Sequence, residues 1–294
     1  MPKIAYNMSG DCMDGFYLVN KPKGLTSHDV VSYLKKKLNL NKIGHTGTLD
    51  PFATGLLILC VGKATKLSDY ISNQDKSYLG TILFGVHTDT YDLTGQILKE
   101  EPCELNTDQI KHAMQQMVKS YDQTPPNYSA IKTKGQKAYD MARKGVSFSL
   151  EKRPVTIFAF QATSTYENQM IDFSTSVSKG TYIRSLVVDL ATNLQTYAAL
   201  NALKRTRIGA YTLEMAKDMQ DIMPDDLLSL ETYFKHYQKL TLSPYLIHLV
   251  KNGVYLDHRQ ITTDQPFIVY NEDGQMIAFY DVIKENTYKP VLIF

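Results

Sequence analysis

Apolar positions along the chain follow two periods that alternate without a fixed rhythm. Gly15–Asn20 (GFYLVN) has the near-continuous apolar character of a strand and ends at Lys21-Pro22. Thr26 or Ser27 is placed to cap a helix whose face carries Val30, Val31, Leu34 and Leu38. Residues 41–55 hold Gly44, Gly47, Pro51 and Gly55 and show no period, which predicts a loop. That loop feeds LLILCV (56–61), a buried strand. Strand patterns recur at 77–84, 155–162 and 170–178. Helical spacing appears in Ile110, Ala113, Met114 and Met117 behind a Thr107 cap. A second helix is expected over 136–144, stopped by Gly145 in a left-handed C-cap, and a third starts near Thr181 with Ile183, Leu186, Val187 and Leu190. Strands and helices mix without regular βαβ alternation, so the predicted class is α+β with a mixed, mainly antiparallel sheet.

After about residue 243 the pattern changes. Tyr245, Leu246, Leu249 and Val250 have helical spacing, and four strand-like runs follow (GVYL, PFIVYN, MIAFYDV, KPVLIF), two of them joined by the turn signal Asn271–Gly274. The expected division is a leader over 1–14, a large unit over 15–243 and a small, mostly β unit over 244–294.

Composition narrows the class. Of 294 residues, 43% are hydrophobic and 21% charged, ordinary for a soluble protein with a real core. A net charge of +2 neither demands nor excludes a polyanionic partner; clustering decides that. Cys12, Cys60 and Cys103 are scattered and the histidines dispersed, so neither a structural metal nor a disulfide framework is expected. No cofactor-binding fingerprint is present. The polar N-terminus lacks a signal-peptide core, and the longest apolar stretch, Gly55–Val61, is too short to span a bilayer. A cytoplasmic protein with reduced thiols and no membrane partner is expected. No long apolar patch asks for a protein partner, which predicts a monomer.

Chemistry concentrates in Gly44–Gly55 (GHTGTLDPFATG). Glycines allow close approach of a ligand, and Pro51 restricts Asp50 to an extended or turn conformation. By itself Asp-Pro is a common turn former, and His45 a common loop residue. Arg184 lies in the first turn of an apolar helix, where the helix dipole does not favour a cation; that placement calls for a carboxylate partner, though a solvated surface Arg fits the bare pattern too. Residues 131–153 gather Lys132, Lys134, Lys137, Arg143, Lys144, Lys152 and Arg153 against only Asp140 and Glu151, with Lys204, Arg205 and Arg207 as a second basic set. Such runs are solvated helix faces or phosphate-binding surfaces.

GHTGTLDPFATGLL closely resembles the catalytic motif of the tRNA pseudouridine synthase B family. In family order come Lys21-Pro22-Lys23-Gly24-Leu25-Thr26-Ser27, Asp75-Lys76-Ser77-Tyr78, Thr88-Asp89-Thr90 with Asp92 and Gly95, Pro126-Asn127-Tyr128-Ser129-Ala130, Ser178–Ser185 (SKGTYIRS), and Leu203-Lys204-Arg205-Thr206 with Gly209. The resemblance covers residues 15–211. Small departures are the longer leader, Lys204 where Arg is common and Tyr211 where Phe is common.

The resemblance implies a cofactor-independent isomerase that converts uridine 55 in the T-loop of tRNA to pseudouridine on a flipped-out base. Asp50 would be the nucleophile, attacking carbon 6 of the base or carbon 1′ of the sugar. Arg184 would keep Asp50 ionised. Tyr78 would abut the base and help with the proton lost from carbon 5; as a bare residue it reads as a core tyrosine. Tyr182 and Leu203 would line the substrate pocket, Lys21 would shape it, and His45 would fill the gap left in the base stack. Lys132, Lys134, Lys137, Arg143, Lys152 and Arg153 would belong to an insertion (131–153) that clamps the RNA backbone, joined by Lys204 and Arg205, and 244–294 would be a PUA-like RNA-binding domain. The alternative is a non-catalytic RNA-binding or tRNA-folding module on the same fold, which the intact Asp50, Tyr78 and Arg184 set disfavours. A guide-RNA-dependent subunit is disfavoured because no larger C-terminal domain or basic tail is expected.

Overall fold

A computed structural model describes residues 14–294 except Ala130, Lys134 and Ser147, with the backbone alone for Lys132, Thr133 and Lys137. The apolar runs at either end of the glycine-rich loop become neighbours. Strand β1 (Gly15–Lys21) leads into helix α1 (Ser27–Lys37), capped by Thr26, whose side chain accepts from Asp29 N–H while Asp29 answers in a capping box. Strand β2 (Ile43–His45) is a short hydrogen-bonded segment inside the stretch expected to be loop, and β3 (Thr54–Val61) pairs antiparallel with both β1 and β2. The runs in β1 and β3 lack alternation because both faces are covered. Tyr17, Val19, Leu57 and Leu59 pack with α1, whereas Phe16, Leu18, Leu56, Ile58 and Cys60 face the other way.

Strand β4 (Lys76–Phe84) is followed by the hairpin β5 (Val86–Thr88) and β6 (Ile97–Glu100), helix α2 (Thr107–Gln116) and strand β7 (Ser120–Gln123). The α2 cap is Asn106 rather than Thr107: its side chain accepts from Gln109 N–H at 2.9 Å. The next segment carries a two-stranded turn (Lys132–Thr133 with Gln136–Lys137) and helix α3 (Ala138–Arg143), shorter than the expected 136–144 because Gln136 and Lys137 are held in that turn. Strands β8 (Arg153–Ala162) and β9 (Met170–Val177), helix α4 (Ile183–Asn193) and strand β10 (Ala198–Ile208) complete the unit.

The large sheet runs Lys217–Asp218, β1, β3, β10, β4, β9, β8, β7. It is antiparallel apart from β1 with 217–218 and β3 with β10, which matches the mixed, mainly antiparallel expectation. Helices α2 and α4 cover one face of β4, β9 and β8 through Ile110, Met114, Leu186, Val187 and Leu190. The opposite face is open there, with Leu79 and Phe158 exposed, so these strands alternate in sequence.

The small C-terminal sheet consists of β11 (Gln238–Thr241), β12 (Phe267–Tyr270), β13 (Met276–Lys284), β14 (Thr287–Ile293) and Leu256–Asp257, with helix α5 (Pro244–Lys251) against it. It begins upstream of residue 244, because β11 pairs parallel with β12. One side has its own core around Phe267, Tyr280 and Tyr288. The other presents Ile268, Phe279 and Leu292 to Phe16, Leu18, Leu56 and Ile58. The small sheet therefore supplies the cover that the apolar runs of β1 and β3 require. Among the described residues, no helix is long and apolar enough to cross a membrane.

Candidate active site

Asp50 sits in the loop between β2 and β3, and that loop is held from two sides. From the α1 side, Ser27 Oγ accepts from Leu49 N–H (2.9 Å) and donates to Leu49 C=O (3.3 Å), while Gly24 N–H donates to Pro51 C=O (2.7 Å). Lys21 is fully buried, and its ammonium donates to the carbonyls of Pro22 (2.9 Å), Leu25 (2.7 Å) and Pro51 (3.5 Å). Burial pushes the Lys21 pKa down to about 8, partly offset by the attraction of Asp50. Lys21 is buried behind the loop and bonded to its backbone, in the shaping place expected of it.

From the β10 side, Arg205 is 1% exposed, and its guanidinium donates to the carbonyls of Leu56 (2.8 Å), Gly47 (3.2 Å) and Thr48 (3.5 Å). Arg205 is therefore not an RNA-backbone contact. Its donors are taken up by the Gly47 and Thr48 carbonyls of the loop and the Leu56 carbonyl of β3. Its backbone also crowds Gly55, which has φ +102°, and an added Cβ there would drive into the Arg205 backbone O and N. Gly55→Ala is expected to destabilise the fold by about 2 kcal/mol or more, read by urea denaturation. Gly44→Ala, with no atom within 4 Å of an added Cβ, should stay within about 0.5 kcal/mol of wild type. Equal losses at both positions would refute the packing argument.

Helix α4 delivers Arg184 to this loop. The guanidinium grips Asp50 in a fork: Nε to Oδ2 at 2.9 Å and Nη2 to Oδ1 at 3.1 Å. Its remaining donors reach Thr90 C=O (2.9 Å) and Tyr128 C=O (3.0 Å), and Asp92 Oδ2 lies 3.7 Å from Nη1. The Arg184 side chain is 6% exposed, that of Asp92 5%, and that of Asp50 33%, so in this group it is the Asp50 carboxylate that opens to solvent. Burial pushes the Asp50 pKa up, Arg184 pulls it down as the largest opposing influence, and Asp92 pushes it up again. Asp92 is the member that sequence reasoning left without a role; its signal was its place in the family motif Thr88-Asp89-Thr90 with Asp92 and Gly95.

Tyr78 and Leu203 lie on the same side of the sheet as the Asp50 loop, in one cluster with Leu49, Phe52 and Ala53. Leu203 pairs with Gly80 and Tyr78 with Arg205 across β4 and β10. Tyr182 is half-buried at the N-cap of α4, and burial pushes its phenol pKa up. His45 is half-buried on β2; its Nδ1 is buried without a hydrogen-bond partner among the described residues, and burial together with Arg205 pushes its pKa down, which favours the neutral ring. Among the expected RNA contacts, Arg143, Lys152, Arg153 and Lys204 are exposed. The side chains of Lys132 and Lys137, and Lys134 altogether, lie outside the described residues.

The family model for TruB family pseudouridylate synthases (N terminal domain) matches residues 35–183, a span containing Asp50 and Tyr78 and ending one residue before Arg184. The chain belongs to this family. It is 48% identical to the tRNA pseudouridine synthase B of Onion yellows phytoplasma (strain OY-M), over 96% of this chain and 100% of the relative. It is 49% identical to the protein of that name from Acholeplasma laidlawii (strain PG-8A), with the same coverage, and 36% identical to that of Borreliella burgdorferi (strain ZS7), over 96% and 99%. In fold, it matches a chain of a Cbf5-Nop10-Gar1 complex with a TM-score of 0.70 and 23% identity, covering 92% of this chain and 79% of that one. Members of this family are pseudouridine synthases, which places the chain among isomerases, and the arrangement of a carboxylate forked by a guanidinium beside an apolar and aromatic wall agrees with that chemistry.

Proposed function

We propose that this chain isomerises uridine 55 in the T-loop of tRNA to pseudouridine, with Asp50 as nucleophile on a flipped-out base. The observation that carries the reading is the forked Arg184–Asp50 pair, whose acid is open to solvent while its base is not. The reaction breaks the bond from N1 to C1′, turns the base, and joins C5 to C1′. One proton leaves C5 and one is gained at N1, so atoms and electrons balance without an oxidant or reductant. Attack at C6 or at C1′ makes the same demand on the protein: an ionised carboxylate at a fixed distance from the base. Tyr78 and Leu203, which share a cluster with the Asp50 loop, and Tyr182, whose phenol feels Asp50 and Arg184, give the base an aromatic and apolar wall, and Tyr78 assists loss of the C5 proton. A neutral His45 ring suits stacking in the gap left by the extruded base.

The backbone of the RNA is held by the insertion 131–153 and by Lys204, and the C-terminal sheet acts as a PUA-like RNA-binding unit. The protein works in the cytoplasm as a monomer, without an obligatory protein partner. Changing Arg143, Lys144, Lys152 and Arg153 together to Gln weakens tRNA binding and reduces the slope of log K against log salt by roughly 0.7–0.9 for each phosphate left unneutralised. Titration at several salt concentrations reads it, and an unchanged slope removes these residues from the interface. The central test is incubation with an unmodified tRNA transcript followed by mapping of pseudouridine. Modification at position 55 is expected; an unmodified transcript would overturn the reading.

A further inference from the structure

Gln123 ends β7, and its backbone pairs with Arg153 at the start of β8. The basic insertion thus leaves and re-enters the fold at one rung of the sheet. The Gln123 side chain is 2% exposed and fully engaged. Its Oε1 accepts from Tyr182 N–H (2.8 Å), and its Nε2 donates to Tyr182 C=O (3.2 Å) and to the Tyr121 hydroxyl (2.9 Å). Tyr121 in turn donates to Asp189 on α4 (2.8 Å). One residue on, Thr124 C=O accepts from Ser185 Oγ (2.8 Å), and Tyr128 C=O accepts from Arg184 (3.0 Å). The segment 123–128 therefore grips Tyr182, Arg184 and Ser185, the start of the helix that presents Arg184 to Asp50. That start has no side-chain cap of its own: Tyr182 makes no capping bond. Gln123 fixes it from outside, with an amide that mimics a strand rung by accepting from and donating to the same residue.

We propose that Gln123 is a positioning residue that, from the rung where the basic insertion departs, sets the alignment of Tyr182 and Arg184 around Asp50. The proposal rests on the functional reading above. Glu at this position accepts but cannot donate, and Met does neither, so the two variants separate the halves of the contact.

The test compares wild type, Gln123→Met, Gln123→Glu and Val250→Ala, the last lowering stability from within the C-terminal core. Single-turnover rates on saturating tRNA transcript, tRNA affinity, Tm and the acid limb of the rate profile are measured for each. Gln123→Met is expected to react about 10-fold slower or worse. It should bind tRNA within about three-fold of wild type, since the phosphate contacts remain. Its acid limb should move to higher pH, because a displaced Arg184 holds Asp50 less firmly against Asp92, while Lys21 stays in place. An unchanged rate overturns the proposal. So does a loss that Val250→Ala reproduces at equal Tm with an unmoved acid limb. If Gln123→Met does not fold, Tyr121→Phe carries the same test, with a smaller loss in the same direction expected and an unchanged rate overturning. A wild type that leaves tRNA unmodified overturns the functional reading instead.

Discussion

Asp50→Asn abolishes pseudouridine formation, with a rate loss of about 10⁴-fold or more, while tRNA affinity stays within a few-fold. The two side chains have the same shape, so the loop bound by Ser27, Lys21 and Arg205 is undisturbed. The amide oxygen still accepts from Arg184, but the amide nitrogen confronts a donor of the guanidinium, and the fork is reduced to a single bond. Arg184 keeps Thr90 C=O, Tyr128 C=O and Asp92, so it is not stranded. What disappears is the negative charge and with it the proposed nucleophile. Binding is expected to survive because phosphate contacts dominate RNA affinity, and the exposed basic residues proposed to make them are other than Asp50. Mapping pseudouridine in a single-turnover reaction, alongside a tRNA titration, reads both halves. Residual turnover within ten-fold of wild type would remove Asp50 from the nucleophile's role, and a parallel loss of binding would make it a folding residue.

The Asp50 loop was legible because its chemistry and its backbone rules coincide: an acid fixed by Pro51, flanked by glycines and followed by a buried strand. Arg184 was legible for the opposite reason, as a cation in a place where local physics does not favour one. Arg205 misled. In Lys204-Arg205-Thr206-Arg207 a basic run looks like surface, yet these residues belong to β10, beside the loop, and side chains on alternate positions of a strand face opposite ways. Lys204 is exposed and Arg205 is buried for that reason. The charge is retained because Gly47, Thr48 and Leu56 have carbonyls to satisfy, a demand set by the tertiary fold and absent from the local string.

Short strands held by neighbours were the other blind spot. β2 and β11 carry no period of their own and exist because β3 and β12 offer them unpaired backbone groups. The expected boundary near 243 therefore fell downstream of β11. The unbroken apolar runs in β1 and β3 did contain the missing information. Strands apolar on both faces require cover on both faces, and α1 can supply only one. The second cover is the C-terminal sheet, which shares a core with the catalytic sheet through Phe279 and Leu292.

Arg184→Met is expected to cost both activity and stability, and its pH dependence distinguishes an electrostatic role from packing. Met fills much of the volume but leaves Asp50 and Asp92 facing each other without a cation between them, together with the Thr90 and Tyr128 carbonyls unpaired. Breaking a buried pair in this way costs roughly 3–5 kcal/mol, toward the low end here because Asp50 is one-third exposed and its charge is partly screened. The sign with pH follows from Asp50. Burial already pushes its carboxyl above the ordinary range, and Arg184 is the strongest force holding it down. Without Arg184 the folded-state pKa rises further above the unfolded value. Catalysis needs the ionised form, so on acidification the residual rate disappears at a higher pH than in wild type. Stability runs the other way. The added penalty belongs to the charged Asp50 carboxylate, so it is absent where Asp50 is protonated in both proteins and grows as pH rises from the folded pKa of wild type to the higher one of the variant, reaching its full size above it. The deficit of the variant relative to wild type is therefore largest at neutral pH and narrows in acid. Arg184→Lys tests geometry with charge retained: a point charge can hold Asp50 ionised but cannot fork it, so the acid limb stays close to wild type while the rate falls by about 10²-fold. An acid limb that stays put in the Met variant would mean that Arg184 does not set the charge on Asp50, leaving the helix turn that carries it as a packing element alone.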